Sequence, residues 1–151
     1  MKKCLILTLF SILLVSCNYF NSNKNGGNFT QTSIPKEVDS DFKLFLKYFN
    51  QDSVFQVSRV VFPFRERSAD PDQQFDLIEK KISRAEYQKM DFTYDESSAN
   101  KQYDSYRQHI RIKGNKAVIE YRGVENGIFI DCYFEKRNGK WMFVEMVDSS
   151  T

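Results

Sequence analysis

The feature that most constrains the fold is the stretch from Tyr103 to Ser149, "YDSYRQHIRIKGNKAVIEYRGVENGIFIDCYFEKRNGKWMFVEMVDS". Turn residues interrupt it at Lys113-Gly114-Asn115, at Val124-Glu125-Asn126-Gly127 and at Arg137-Asn138-Gly139. Asn-Gly is the strongest short hairpin signal, because a two-residue hairpin turn needs φ above zero at its centre. Four extended runs joined this way predict an antiparallel meander. Strand alternation then assigns faces. Ile110 and Ile112 point one way and Arg107, His109 and Arg111 the other. Ile128, Ile130, Cys132 and Phe134 share a face, opposite Phe129, Asp131, Tyr133 and Glu135. In the last run Trp141, Phe143 and Val147 oppose Met142, Val144 and Met146, so both faces are apolar and a central strand is expected.

Upstream of the meander the period changes. In "VDSDFKLFLKYFNQD", Phe42, Phe45, Leu46 and Phe49 recur at helical spacing and make one apolar stripe. Asp39 or Ser40 is expected to cap this helix, with Asp41 in its first turn. "DSVFQVSRV" predicts a short second helix. "RVVFPF" reads as extended, with Pro63 marking an edge or a bulge. "RERSADPDQQ" reads as a loop and "FDLIEKKI" as a strand. Ser83-x-x-Glu86 is a capping box that predicts a helix from Arg84 to Met90, followed by a loop, "TYDESSANKQ".

The chain begins Met1-Lys2-Lys3, followed by an apolar run from Cys4 to Val15, the layout of a secretory signal. That run is shorter than the roughly 20 residues a bilayer span requires, which leaves a transmembrane anchor as the alternative. Leu14-Val15-Ser16-Cys17 resembles the bacterial lipobox, which implies cleavage before Cys17 and acylation of its sulfur and its new N-terminus; an ordinary secretory cleavage is the competing reading. Residues 1–16 are thus expected to be a lipoprotein signal peptide, 17–36 a lipidated flexible tether rich in Asn, Ser, Thr and Gly, and 37–151 an α+β domain. The leader holds Lys2 and Lys3 and no acidic residue, so of 22 basic and 20 acidic residues the mature chain keeps 20 of each. A neutral domain argues against nucleic acid as a partner. With Cys4 removed and Cys17 lipidated, Cys132 is the one remaining thiol, and no internal disulfide is expected.

An N-terminal Phe-rich helix, a short second helix and a long meander resemble the nuclear transport factor 2-like (cystatin-like) architecture: N-terminal helices packed on a curved antiparallel sheet. More narrowly, Phe42, Phe45, Phe49, Asp52, Phe55, Gln56, Arg59 and Phe62-Pro63, with Gly139-Lys140-Trp141 and Asp148-Ser149 at the end, look like a family of small lipoproteins of unknown function from Gram-negative gut anaerobes. The resemblance implies fold and location and no assigned activity. Asn18, where inner-membrane lipoproteins of Gram-negative bacteria often carry Asp, implies the outer membrane. The lack of an acidic cluster after Cys17 implies the periplasmic face.

Chemistry-bearing residues are sparse. His109 is the one histidine and lies between Arg107 and Arg111, where a solvated strand residue is the plain reading and a general base the sharper one. One histidine and one thiol do not supply a zinc site. Asp70 to Asp76 lacks the Gly and distal Glu of a calcium loop and reads as a polar turn. Arg59, set among apolar residues, is expected to be paired or to line a pocket. Glu120, Tyr121, Asp131 and Tyr133 are candidates for the concave side of the sheet, and with Arg59 and Trp141 they complete the candidate pocket. No catalytic residue, metal or cofactor is expected. The expected function is that of a non-enzymatic envelope binding module for a small ligand or a partner protein, held to the membrane through Cys17. The alternatives are an enzyme using Asp131, Glu120 or His109 in one pocket, and a passive structural protein whose concavity is plugged by Trp141 and Phe143.

Overall fold

A computed structural model describes residues 33–73 and 76–151. The expected signal peptide, the expected lipidation site Cys17 and the expected tether as far as residue 32 lie outside the described residues. The elements run α1 (Phe42–Gln51), α2 (Ser53–Ser58), β1 (Val60–Ala69), β2 (Leu77–Ile82), a 3-10 helix (Glu96–Asn100), β3 (Tyr106–Lys113), β4 (Lys116–Gly123), β5 (Phe129–Arg137) and β6 (Lys140–Asp148). The strands form one sheet in the order β2-β1-β6-β5-β4-β3. The predicted meander is its C-terminal part. The sheet is mixed rather than purely antiparallel, because β1 lies parallel to β6 and joins the hairpin β1–β2 to the meander.

Helix α1 buries the expected stripe, Phe42, Phe45, Leu46 and Phe49, against one face of this sheet. Phe134 is the hub. The rings of Phe42, Phe45, Phe49 and Phe92 approach it edge-on at 5.2–6.0 Å, and Phe143 stacks on it at 4.7 Å. Edge-to-face and offset geometries suit the ring quadrupole. The cap differs from expectation. Asp41 is the N-cap and accepts from the Leu44 amide at 2.9 Å, which leaves Asp39 for a tertiary role described below. Asp52 caps α2 by accepting from the Phe55 amide.

Three other expectations are corrected. β1 continues through Arg65–Ala69, placed above in a loop; Arg65 and Arg67 alternate onto one face and pair with Glu145 of β6, Arg65 also with Glu79 of β2. The irregularity expected at Pro63 is present, since the β1–β6 register shifts between Val60 and Arg65 and the Phe62–Pro63 bond is cis. The helix over 84–90 does not form. Ser83 and Glu86 do bond, the Ser83 amide and hydroxyl both donating to the Glu86 carboxylate, but the chain makes only a turn. Gln56 offers the backbone beyond it a competing set of bonds.

The third correction concerns β6. Its alternation is interrupted by a bulge at Val144, seen as the register step from Phe134↔Phe143 to Tyr133↔Glu145. An extra residue reverses the phase of everything after it. Met146 therefore joins Trp141 and Phe143 on the helix-covered face, packed against the core, and Val147 turns to the other side beside Asp131. Ile110 and Ile112 share a face as expected, and Ile112 is 47% exposed because it lies at the end of the edge strand β3. The turn at Asn138-Gly139 has φ of 49° and 77°, as a two-residue hairpin requires. Gly127 serves a different purpose: a Cβ there would overlap the carbonyl of Thr151, whose amide donates to Gly127 at 3.1 Å.

Candidate functional site

The helix-covered face is filled at one end and open at the other. Below α1 the phenylalanines close it. Beyond the last turn of α1, Tyr121, Ile130, Cys132 and Met146 of the sheet face the segment Met90–Phe92 and Tyr106 across a cleft of about 520 Å³. This is within the usual range for small-molecule sites.

The far wall of the cleft is held by a buried amide. Gln56, fully buried on α2, donates to the carbonyls of Phe49 and Met90 at 2.9 and 2.8 Å, and accepts from the Met90 amide at 2.8 Å and the Tyr87 hydroxyl at 3.0 Å. Both hydrogens of its amide and both acceptor sites are used, which makes it a fully satisfied polar hub. Asn50 accepts from the Phe92 amide at 3.0 Å. From the sheet side Gln108 donates to the Phe92 carbonyl at 3.0 Å and to the Tyr121 hydroxyl at 3.1 Å. Segment 90–92 is thus tied to α1, to α2 and to β3. The rings of Tyr106 and Tyr121 lie 5.6 Å apart with their planes at 65°, forming a corner of the cleft.

The shifted groups of the cleft move away from titration near neutral pH. Burial pushes the Cys132 thiol well above its usual range, with the charges of Asp131 and Asp148 adding to the effect. It remains a protonated, unreactive thiol. Burial likewise raises Tyr121. Asp91, at the mouth, is held below the usual carboxylate value by hydrogen bonds from Thr93, so it stays ionised and is a weak base. A general base for neutral pH would need the opposite shift.

The six candidates from sequence fall into three places. Tyr121 alone lines the cleft. Arg59 is locked at the other end: it forms a two-pronged pair with Asp39 at 2.9 and 2.8 Å, and its guanidinium lies 4.8 Å from the centre of the Phe55 ring. Asp39 also accepts from the Trp141 amide at 2.8 Å, so one carboxylate joins the segment before α1 to α2 and β6. Trp141 is buried there, with its ring edge-on to Phe42 at 5.0 Å.

Glu120, Asp131 and Tyr133 lie on the face away from the helices. The register sets His109, Glu120 and Asp131 side by side across β3, β4 and β5. The convergence imagined for an enzyme therefore occurs in the backbone, but guanidinium groups occupy the carboxylates. Arg122 bridges Glu120 at 3.0 Å and Asp131 at 2.6 Å and lies 3.7 Å over the Phe129 ring, while Arg111 also pairs with Glu120. The Tyr133 hydroxyl donates to Asp131 at 3.2 Å. His109 is exposed at the end of this row. No cluster suited to hold a metal ion occurs among the described residues.

Sequence reasoning missed Met90, Tyr106 and Met146. A polar loop and a capping box hid the first, and the bulge at Val144 hid the last. The signal available for Tyr106 was its alternation with Gln108 and Ile110, the buried side of β3.

Residues 20–148 match the family described as domain of unknown function DUF4348. The chain belongs to that family. Among solved structures, the DUF4348 domain is similar to an NTF2-like protein of Bacteroides fragilis, with 20% identity and a TM-score of 0.52 over 74% of this chain and 47% of that one. The chain thus spans about half the length of that protein. It is also similar to a protein of Bacteroides uniformis, with 22% identity and a TM-score of 0.50 over 70% of this chain and 74% of that one. At these identities the likeness establishes the NTF2-like fold, and it bears out the architecture expected from the sequence. No curated protein matches the chain.

Proposed function

We propose that this DUF4348 protein is a non-enzymatic binding module that takes a small, largely apolar molecule in the cleft between Tyr121 and Met90. It is displayed from the periplasmic face of the outer membrane through a lipid anchor on Cys17. The observation that carries the binding reading is an apolar cleft whose walls are fixed by hydrogen bonds and whose one carboxylate with a shifted pKa, Asp91, is shifted away from use as a base. The passive structural reading fits less well, because Trp141 and Phe143 fill the α1 end and leave the Tyr121 end open.

The test is mass spectrometry of the full-length protein purified from its own cell envelope, beside an Ile130→Trp variant that fills the cleft. A stoichiometric small molecule carried by the wild type and missing from the variant is the expected result. An identical mass profile for the two would overturn the reading. The lipoprotein reading rests on Leu14-Val15-Ser16-Cys17 behind an apolar run. Cys17→Ala is expected to lose palmitate labelling and membrane retention, and a variant still firmly membrane-bound would contradict it.

A further inference from the structure

The cleft has walls of one character and a mouth of another. Its walls are tyrosine rings, thioethers and aliphatic groups, whereas its rim carries the carboxylates of Asp91 and Asp104. No Lys, Arg or His lines it, and neither aspartate takes part in an ion pair among the described residues. The cleft therefore carries two negative charges and no positive one among its lining residues.

A pair of aromatic rings set at an angle attracts a cation through the negative faces of the rings, and a thioether adds polarizable contact. Tyr106 and Tyr121 provide that corner, with Met90 and Met146 beside it. We propose that the ligand is an organic cation, an amine or quaternary ammonium on an apolar body, with the body against Ile130 and Met146 and the charged head between the tyrosine corner and the carboxylates of Asp91 and Asp104. This assignment rests on the cleft being a binding site. An anionic ligand would meet two carboxylates with no donor cation, an arrangement that costs affinity.

The experiment uses the full-length protein in nanodiscs with isotope-labelled methionine methyl groups. It is titrated with 2-phenylethylammonium, with its neutral counterpart 2-phenylethanol and with the anion 3-phenylpropionate. The cation is expected to shift the methyl signals of Met90 and Met146 and leave Met142, which the cleft does not include, in place. Its affinity should exceed that of the alcohol by about tenfold, with the anion weaker still. The double variant Asp91→Asn, Asp104→Asn should narrow that margin severalfold, leaving the part owed to the tyrosine corner. Equal affinities in the wild type, or a preference undiminished in the double variant, would overturn the cation assignment and leave the cleft as a binding site. Failure of all three probes to move Met90 and Met146 would overturn the binding reading itself.

Discussion

The two ends of the helix-covered sheet face are built from the same strands and behave differently. At one end α1 lays four apolar side chains onto Phe134, Trp141 and Phe143, and nothing is left open. At the other end the same β4, β5 and β6 present Tyr121, Ile130, Cys132 and Met146 to a cleft. The difference is the length of α1, which stops at Gln51 where Asp52 begins α2. What covers the sheet beyond that point is an irregular segment, anchored by the Phe92 ring on Phe49, Phe134 and Phe143 and otherwise held by hydrogen bonds. Hydrophobic packing makes a core; backbone held at a distance by Gln56, Asn50 and Gln108 makes a site.

Breaking the packed end should have the largest effect. Phe134→Ala removes the ring on which four others converge edge-on and is expected to destabilise the fold by about 3–5 kcal/mol in chemical denaturation. Gln56→Leu comes next. It strands the amide and carbonyl of Met90 and the carbonyl of Phe49, and unsatisfied buried groups cost about 1–3 kcal/mol each, so a loss of roughly 3 kcal/mol is expected. Hydrogen exchange should speed up at Met90 and Phe92 before it does in α1; uniform acceleration would show that the two ends are one cooperative unit.

Raising the pH perturbs both ends together. Burial lifts Tyr87, Tyr121 and Cys132 above their ordinary values of 10.0, 10.0 and 9.0. The unfolded chain releases these protons first, so their contribution is whole below about pH 9 and is lost as the pH rises further. Each group then costs up to about 1.4 kcal/mol per pH unit. Denaturation midpoints are expected to be flat from pH 7 to 8.5 and to fall steeply above 10. The smallest effect belongs to the outer face. Arg111→Ala breaks a pair whose arginine is 71% exposed, and it should change stability by less than about 0.5 kcal/mol.

Which of these parts the sequence revealed follows from periodicity. The α1 stripe, the hairpins at Gly114 and Asn138-Gly139 and the faces of β5 were legible because each repeats at 3.6 or 2 residues. Arg59 was legible as a charge in need of a partner, but its partner Asp39 lies 20 residues away in a segment that reads as a helix cap. The cleft was largely illegible. Met90 follows a valid capping box that loses to the bonds offered by Gln56. Met146 sits on the opposite face from the one that strict alternation assigns, because Val144 is inserted between ladder positions. Glu120, Asp131 and Tyr133 were expected together with Tyr121 on the concave side; the register parts them, with Tyr121 on the helix-covered face and the other three on the opposite one, and no rule of alternation says which face a helix will cover.

The most direct test makes one substitution at both ends. Ile119 and Ile130 lie on the same sheet face, Ile119 fully buried opposite Cys132 and Ile130 lining the cleft opposite Tyr121. Ile→Phe at each adds the same bulk. Denaturation midpoints of the two variants should separate: Ile119→Phe loses about 1–3 kcal/mol to overpacking, while Ile130→Phe stays within about 0.5 kcal/mol of the wild type because the ring enters open space. Equal losses at the two positions would show that the Tyr121 end is packed as tightly as the Phe134 end, and the cleft would cease to be a site.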